Sequence, residues 1–273
     1  MKHWGEALRH LSSAFSQPGH KALIAYVTVG YPSIAATLEV VPLLASIGCD
    51  IVELGIPFSD PLADGATIQK ASFCALKNGV TSQLCLDIAK QLSQTVEIPL
   101  VFMTYFNPVF SYGFEEFCSA CTRSGINGLI IPDLPPEEGS ELEVITRRQG
   151  IDLVYLLAPT STEERIQLVA EKSRGFIYLV SVAGVTGARE GLPMNLEAFV
   201  ARVRKVATQP LCVGFGISTP KQAGQVARIA DGVIVGSRII QLMETDGNFT
   251  SPVGNLIVEL RQALDELPRE EKL

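Results

Sequence analysis

Short apolar runs alternate with amphipathic segments along this 273-residue chain, which predicts an α/β protein and, more specifically, a (β/α)8 TIM barrel. Three observations carry that expectation. Eight strand-like runs can be counted, separated by segments of helical length. No Pro/Gly/Ser linker, charge run or low-complexity stretch divides the chain, so residues 1–273 read as a single domain. The residues just after the strands are more polar than barrel filling requires, as at the mouth of a barrel enzyme. A doubly wound open sheet is the alternative.

The strand candidates are Leu23–Val29, Cys49–Leu54, Leu100–Tyr105, Gly128–Ile131, Leu153–Leu157, Phe176–Ser181, Leu211–Val213 and Gly232–Val235. They are mostly apolar, as expected of strands buried on both faces of a parallel sheet. Helix-length segments lie near 33–47, 66–78, 81–94, 114–124, 136–149, 162–173, 195–207 and 219–228, with a last one near 252–266. Right-handed crossovers then make neighbouring strands parallel. Eight such units in about 250 residues match the barrel. Trp4–Ala14 is amphipathic and precedes the first strand, which places an extra N-terminal helix across the barrel floor. Helix starts at Thr160-Ser-Thr-Glu-Glu and Ser218-Thr-Pro-Lys carry cap residues ahead of acidic or proline first turns. Ser237-Arg-Ile-Ile-Gln-Leu-Met, after the eighth strand, predicts a short extra helix.

Composition removes several function classes. Hydrophobic residues make up 47% of the chain, enough for a large core, and the net charge of −7 argues against a nucleic-acid or anionic-membrane partner. No segment reaches the roughly 18 apolar residues of a membrane span. The start, Met1-Lys-His-Trp-Gly-Glu-Ala-Leu, lacks a basic and then apolar run, so a cytoplasmic location is expected. The six cysteines are scattered through apolar or helical context, which suits buried thiols, and Cys118-Ser-Ala-Cys121 reads as packing. His3, His10 and His20 all precede the first strand, which leaves the body of the chain without a Ser-His-Asp or His-based metal site. No metal is expected. Gly214-Phe-Gly-Ile-Ser lacks the third glycine of a dinucleotide fingerprint and no phosphate-binding G-x-x-x-x-G-K-[ST] occurs, so no nucleotide cofactor is expected either.

The chemistry gathers in Ile51-Val-Glu-Leu-Gly-Ile-Pro-Phe-Ser-Asp-Pro-Leu-Ala-Asp-Gly65, which puts Glu53 near the end of a buried strand and Asp60 and Asp64 in the loop beyond it. A carboxylate beside an apolar wall has a raised pKa, as a general acid near neutral pH requires. The alternative for Glu53 is a structural bond to a Ser, Thr or Tyr across the mouth. Asp60 and Asp64 also fit ordinary turns. Tyr105-Phe-Asn107, Asp133 and Tyr178 complete the polar mouth. Glycine-rich turns at Ala183–Gly187, Val213–Ser218 and Val235–Ser237 follow the last strands, where barrel enzymes bind phosphate through backbone N–H groups. The Gly184–Pro193 loop reads as a lid or a plain flexible connection.

The fourteen residues Val52–Gly65, with Thr67-Ile-Gln, Gly184-Val-Thr-Gly187 and Gly214-Phe-Gly-Ile-Ser218, resemble the tryptophan synthase α-chain family in register over nearly the whole chain. The resemblance implies a barrel that cleaves indole-3-glycerol phosphate to indole and glyceraldehyde 3-phosphate. The indole passes to a β subunit for tryptophan synthesis, in an α2β2 complex. A free-standing indole-releasing lyase of the same family is the alternative. By resemblance Glu53 is the acid–base carboxylate, Asp64 the carboxylate facing the indole N–H, and Tyr178 the tyrosine near the catalytic Glu. Gly187, Gly216, Gly236 and Ser237 match phosphate-binding positions. Tyr26, Met103, Tyr105, Ile130 and Leu156 match the indole pocket, and Thr186 the closing loop. The Asp60-Pro61 region and Asn107-Pro-Val-Phe110 correspond to surfaces meeting the β subunit. Tyr26 stands where Phe is familiar, and Val182-Ala183 precedes G-V-T-G where more polar residues are common.

Overall fold

The computed structural model describes residues 10–181, 195–214, 216–244 and 248–266. Within them the strands are β1 (Ala22–Thr28), β2 (Ile51–Gly55), β3 (Leu100–Met103), β4 (Gly128–Ile130), β5 (Asp152–Val154), β6 (Leu156–Leu157), β7 (Ile177–Val180), β8 (Leu211–Gly214) and β9 (Gly232–Val235). They form one parallel sheet in the order β5-β4-β3-β2-β1-β9-β8-β7-β6. The two ends of that order, β5 and β6, are halves of a single run broken at Tyr155. Because β5 pairs with β4 while β6 pairs with β7, the sheet bends round into a nearly closed barrel. The expected eighth-part repeat is therefore present, with its fifth strand changing neighbours half-way.

At the break the backbone groups of Tyr155 leave the β4 ladder. Its N–H donates to Ser173 Oγ at 3.0 Å, and its carbonyl accepts from the Tyr178 N–H at 3.1 Å.

The helices between strands are α1 (Ile34–Ser46), α2 (Ala66–Lys77), α3 (Ser82–Ser93), α4 (Phe106–Tyr112), α5 (Phe114–Arg123), α6 (Ser140–Gln149), α7 (Glu163–Lys172), α8 (Leu196–Arg204) and α9 (Pro220–Ala227). Two more, α10 (Ser237–Met243) and α11 (Thr250–Asp265), close the sequence. Thr162 and Thr219 cap α7 and α9 by accepting the Arg165 and Gln222 amides, as their sequences predict. The third strand stops at Met103, two residues short of the expected Tyr105. Tyr105 is instead extended at the start of α4, a helix outside the expected segments.

The floor of the barrel is held by side chains that stand just before strands. Asp50 Oδ2 accepts the Leu23 N–H at 2.7 Å, Asn127 Oδ1 the Leu100 N–H at 3.0 Å, and Asp231 Oδ2 the Leu211 N–H at 2.8 Å. Each satisfies a strand-start amide that would otherwise be buried without a partner. His20 Nε2 lies 2.7 Å from Asp50 Oδ1, and Arg261 of α11 reaches Asp50 Oδ2 at 3.2 Å.

Of the expected N-terminal helix, a 3-10 turn at Leu11–Phe15 is described, and residues 4–9 lie outside the described range. Leu11 is fully buried and fills the floor where two glycines leave room. A Cβ on Gly128 or Gly175 would lie 2.8 or 2.7 Å from its Cδ1. All six cysteines are unpaired; five are buried, including Cys118 and Cys121, while Cys74 is half-buried.

Candidate active site

Strand register decides which side chains meet at the mouth. Tyr26 of β1, Glu53 of β2 and Val101 of β3 are partners in one row, with Thr28, Gly55 and Met103 in the next row toward the mouth. Ile130 continues that second row on β4. Across the barrel, Leu156 pairs with Tyr178, and Tyr178 with Cys212. Alternation along each strand then turns these residues to the same side of the sheet.

Glu53 is 1% exposed, and neither carboxylate oxygen has a hydrogen-bond partner among the described residues. The structural alternative, a bond to a Ser, Thr or Tyr across the mouth, is therefore not formed. Burial alone raises its pKa to about 8, so the group keeps its proton at neutral pH. Asp64 lies in the loop before α2 and its Oδ1 is likewise buried without a partner. Burial lifts its pKa to about 6, against the pull of the Tyr105 hydroxyl. At pH 7 the mouth thus holds one protonated and one largely ionised carboxyl, the split that acid–base chemistry uses.

Two tyrosines flank Glu53, each admitted by a glycine on the neighbouring strand. A Cβ on Gly55 would lie 2.1 Å from the Tyr26 hydroxyl, and one on Gly214 would lie 2.3 Å from that of Tyr178. Tyr26 also pairs with Thr28 Oγ1 at 3.2 Å. Burial pushes both phenols well above their usual pKa. The nearby carboxylates add to it, Asp64 ahead of Glu53 at Tyr26 and Glu53 ahead of Asp64 at Tyr178. Both hydroxyls keep their protons. The sequence reading missed Thr28, Gly55 and Gly214. A glycine inside a strand is itself a signal of close approach, so the two glycines were readable.

The remaining expectations divide. Met103, Ile130 and Tyr105 are buried, and Leu156 is half-buried beside a cavity of about 340 Å³ bounded by Pro132, Asp133, Tyr155 and Arg165. Asp133 Oδ1 accepts the Phe106 N–H at 2.8 Å, so it anchors the start of α4. Asp60 is exposed and bonded to Ser59 Oγ. Gly216 has φ +80°, a left-handed turn after β8 that favours glycine, and Gly236 and Ser237 open α10 as expected. Thr186, Gly187 and the whole Gly184–Pro193 loop lie outside the described residues.

A parallel barrel whose mouth carries two differently ionised carboxyls, with no histidine beyond His20 in the sequence, is equipped for acid–base chemistry by carboxyl groups. Comparison with known proteins gives the family. A model described as "Tryptophan synthase alpha chain" matches residues 13–265. The tryptophan synthase alpha chain of Dehalococcoides mccartyi is 57% identical over 258 residues, covering 94% of this chain and 100% of the relative. That of Geobacter sulfurreducens is 45% identical over 262 residues, covering 94% and 99%. Among solved structures, Mycobacterium tuberculosis tryptophan synthase superposes with a TM-score of 0.86 at 37% identity, covering 94% of this chain and 98% of that one. The alpha subunit from Legionella pneumophila gives 0.84 at 35%, covering 90% and 94%. The chain belongs to the tryptophan synthase alpha chain family, whose lyase reaction cleaves indole-3-glycerol phosphate to indole and glyceraldehyde 3-phosphate.

Proposed function

We propose that Glu53 and Asp64 carry this cleavage, on the strength of one observation: a buried and a half-buried carboxyl at the mouth have buried oxygens without partners among the described residues and hold opposite protonation states at neutral pH. Protonated Glu53 delivers its proton to C3 of the indole ring. The ring nitrogen becomes cationic, and Asp64 accepts its N–H and offsets the charge. The bond from C3 to the side chain then breaks as the adjacent hydroxyl loses its proton, and the carboxylate left on Glu53 takes that proton back. No net proton is consumed. Tyr178, kept protonated beside Glu53, presents a hydroxyl to the substrate near the acid. Tyr26, Met103, Tyr105, Ile130 and Leu156 wall the flat ring, to which aromatic and aliphatic surfaces are suited. The backbone at Gly187, Gly216, Gly236 and Ser237 takes the phosphate, and Thr186 belongs to the loop that closes over it.

The partner reading is a β subunit that receives the indole, in an α2β2 assembly. An exposed apolar edge supports it: Leu62, beside Pro61, is 93% exposed, and Phe110, stacked on Phe106, is 63% exposed. The chain acts as one domain in the cytoplasm. No helix among the described residues is long and apolar enough to cross a membrane.

Purified protein given indole-3-glycerol phosphate should release indole and glyceraldehyde 3-phosphate in equal amounts, faster when a β subunit is added. Asp64→Asn should lower kcat/KM by roughly two decades. A wild-type rate unaltered by the Asn substitution would remove Asp64 from the mechanism. Strong cleavage that ignores the β subunit would favour the free-standing lyase.

A further inference from the structure

Asp64 presents one buried oxygen, Oδ1, without a partner, so its aim depends on what holds the rest of the loop. Tyr105, 4% exposed and placed between β3 and α4, provides that hold. Its hydroxyl oxygen accepts the N–H of Ala63, the residue before Asp64, at 3.1 Å. The same hydroxyl favours the ionised form of the Asp64 carboxyl, against the effect of burial. A phenol has one proton to donate and lone pairs to accept, so accepting from Ala63 leaves the Tyr105 proton free for Asp64. The ring is itself fixed, stacked on Phe58 of the same loop with centroids 5.2 Å apart. From the far side of the loop, Gln69 Nε2 of α2 donates to the Asp64 carbonyl at 2.9 Å.

We propose that Tyr105 is a positioning residue for the cleavage: its hydroxyl, accepting from Ala63 with its own proton free for Asp64, locks the β2–α2 loop so that Asp64 Oδ1 is left free for the ring N–H. The inference rests on the role given to Asp64 above and adds a second function to a residue otherwise taken as pocket wall. Three ionisable side chains face Asp64, namely Tyr26 on β1, Tyr105 beyond β3 and Tyr178 on β7, and Glu53 on β2 acts on the first and last of them as well. Of these the Tyr105 hydroxyl opposes the effect of burial and favours the ionised carboxylate. Its loss therefore moves the Asp64 titration upward.

Tyr105→Phe keeps the ring, its stack on Phe58 and the pocket wall, and removes only the hydroxyl. The expected result is a kcat/KM about tenfold lower, equivalent to ~1.4 kcal/mol, with the acid limb of the pH profile displaced to higher pH. Two non-cleavable analogues separate aim from packing. One with an indole ring should bind about tenfold more weakly to Tyr105→Phe than to wild type, while its benzofuran counterpart, with oxygen in place of N–H, should change less than about twofold. Equal weakening of both analogues overturns the proposal. So does a kcat/KM within about twofold of wild type with an unmoved acid limb. The two readings fail separately: a crippled Asp64→Asn beside an unaffected Tyr105→Phe removes Tyr105 alone, whereas an unaffected Asp64→Asn removes the premise.

Discussion

At the floor of the barrel Asp50 has three hydrogen-bond partners, the Leu23 amide, His20 and Arg261, whereas at the mouth the more deeply buried Glu53 has none among the described residues. The contrast extends beyond that pair. Asn127 and Asp231 also hold strand-start amides at the floor, while Asp64 at the mouth leaves Oδ1 without a partner. A buried ionised group without a partner is strongly destabilising, so the chain satisfies its floor carboxylates and keeps Glu53 neutral instead. The floor holds the sheet together; the mouth retains reactive groups at a cost to stability.

The largest effect expected from testing this contrast is at Glu53. Glu53→Gln should lower turnover by about three decades or more, ~4 kcal/mol of barrier, and yet stabilise the fold at alkaline pH. Its pKa rises from 4.5 to about 8 on folding, so the folded state holds a proton that the unfolded chain releases between those values. Stability therefore falls as pH rises through that window, and an uncharged Gln escapes the loss. Melting at pH 9 should occur at least about 2 °C higher in the variant than in wild type, with the difference closing by pH 4. A variant no more stable than wild type at pH 9 would break the mouth half of the comparison.

The floor should respond the other way. Asp50→Ala strips partners from Arg261 and the Leu23 amide and should cost about 3 kcal/mol in denaturant unfolding, while turnover per folded molecule stays unchanged. Lost turnover at full stability would show that the two ends are not separable.

The smallest effect is the pH profile itself. Cleavage needs Asp64 ionised and Glu53 protonated, so kcat/KM should be highest between about 6 and about 8 and fall on both sides. A profile still rising above pH 9 would contradict a protonated Glu53.

Much of this contrast was readable in the sequence on the mouth side and little of it at the floor. Glu53 stood out because a carboxyl in an apolar strand has no local explanation. The strand positions followed from the same apolar runs, and α10 from the run that starts at Ser237. The break at Tyr155 did not, since it depends on which neighbour each half of a strand pairs with. Helix α4 was hidden by Asn107-Pro108, which reads as a turn, although a proline in the first turn of a helix has no amide bond to lose. His20 and Asp50 are thirty residues apart, and nothing local in either announces the pairing. Asp133 stood among the polar residues of the mouth because it follows a strand, but an aspartate there serves equally well to hold a helix start. The Tyr105 hydroxyl has no sequence signal, since its partners come from another loop.

The two tyrosine–glycine pairs at the mouth have a consequence for how sequences of this kind can drift. A Cβ at position 55 would meet the ring carbons of Tyr26 at 2.6 and 2.8 Å as well as its hydroxyl, so a side chain there requires the whole ring at 26 to give way, and positions 214 and 178 are bound by the same condition. The constraint runs one way: the aromatic residue can shrink while its glycine stays, but the glycine cannot gain a side chain while the ring stays.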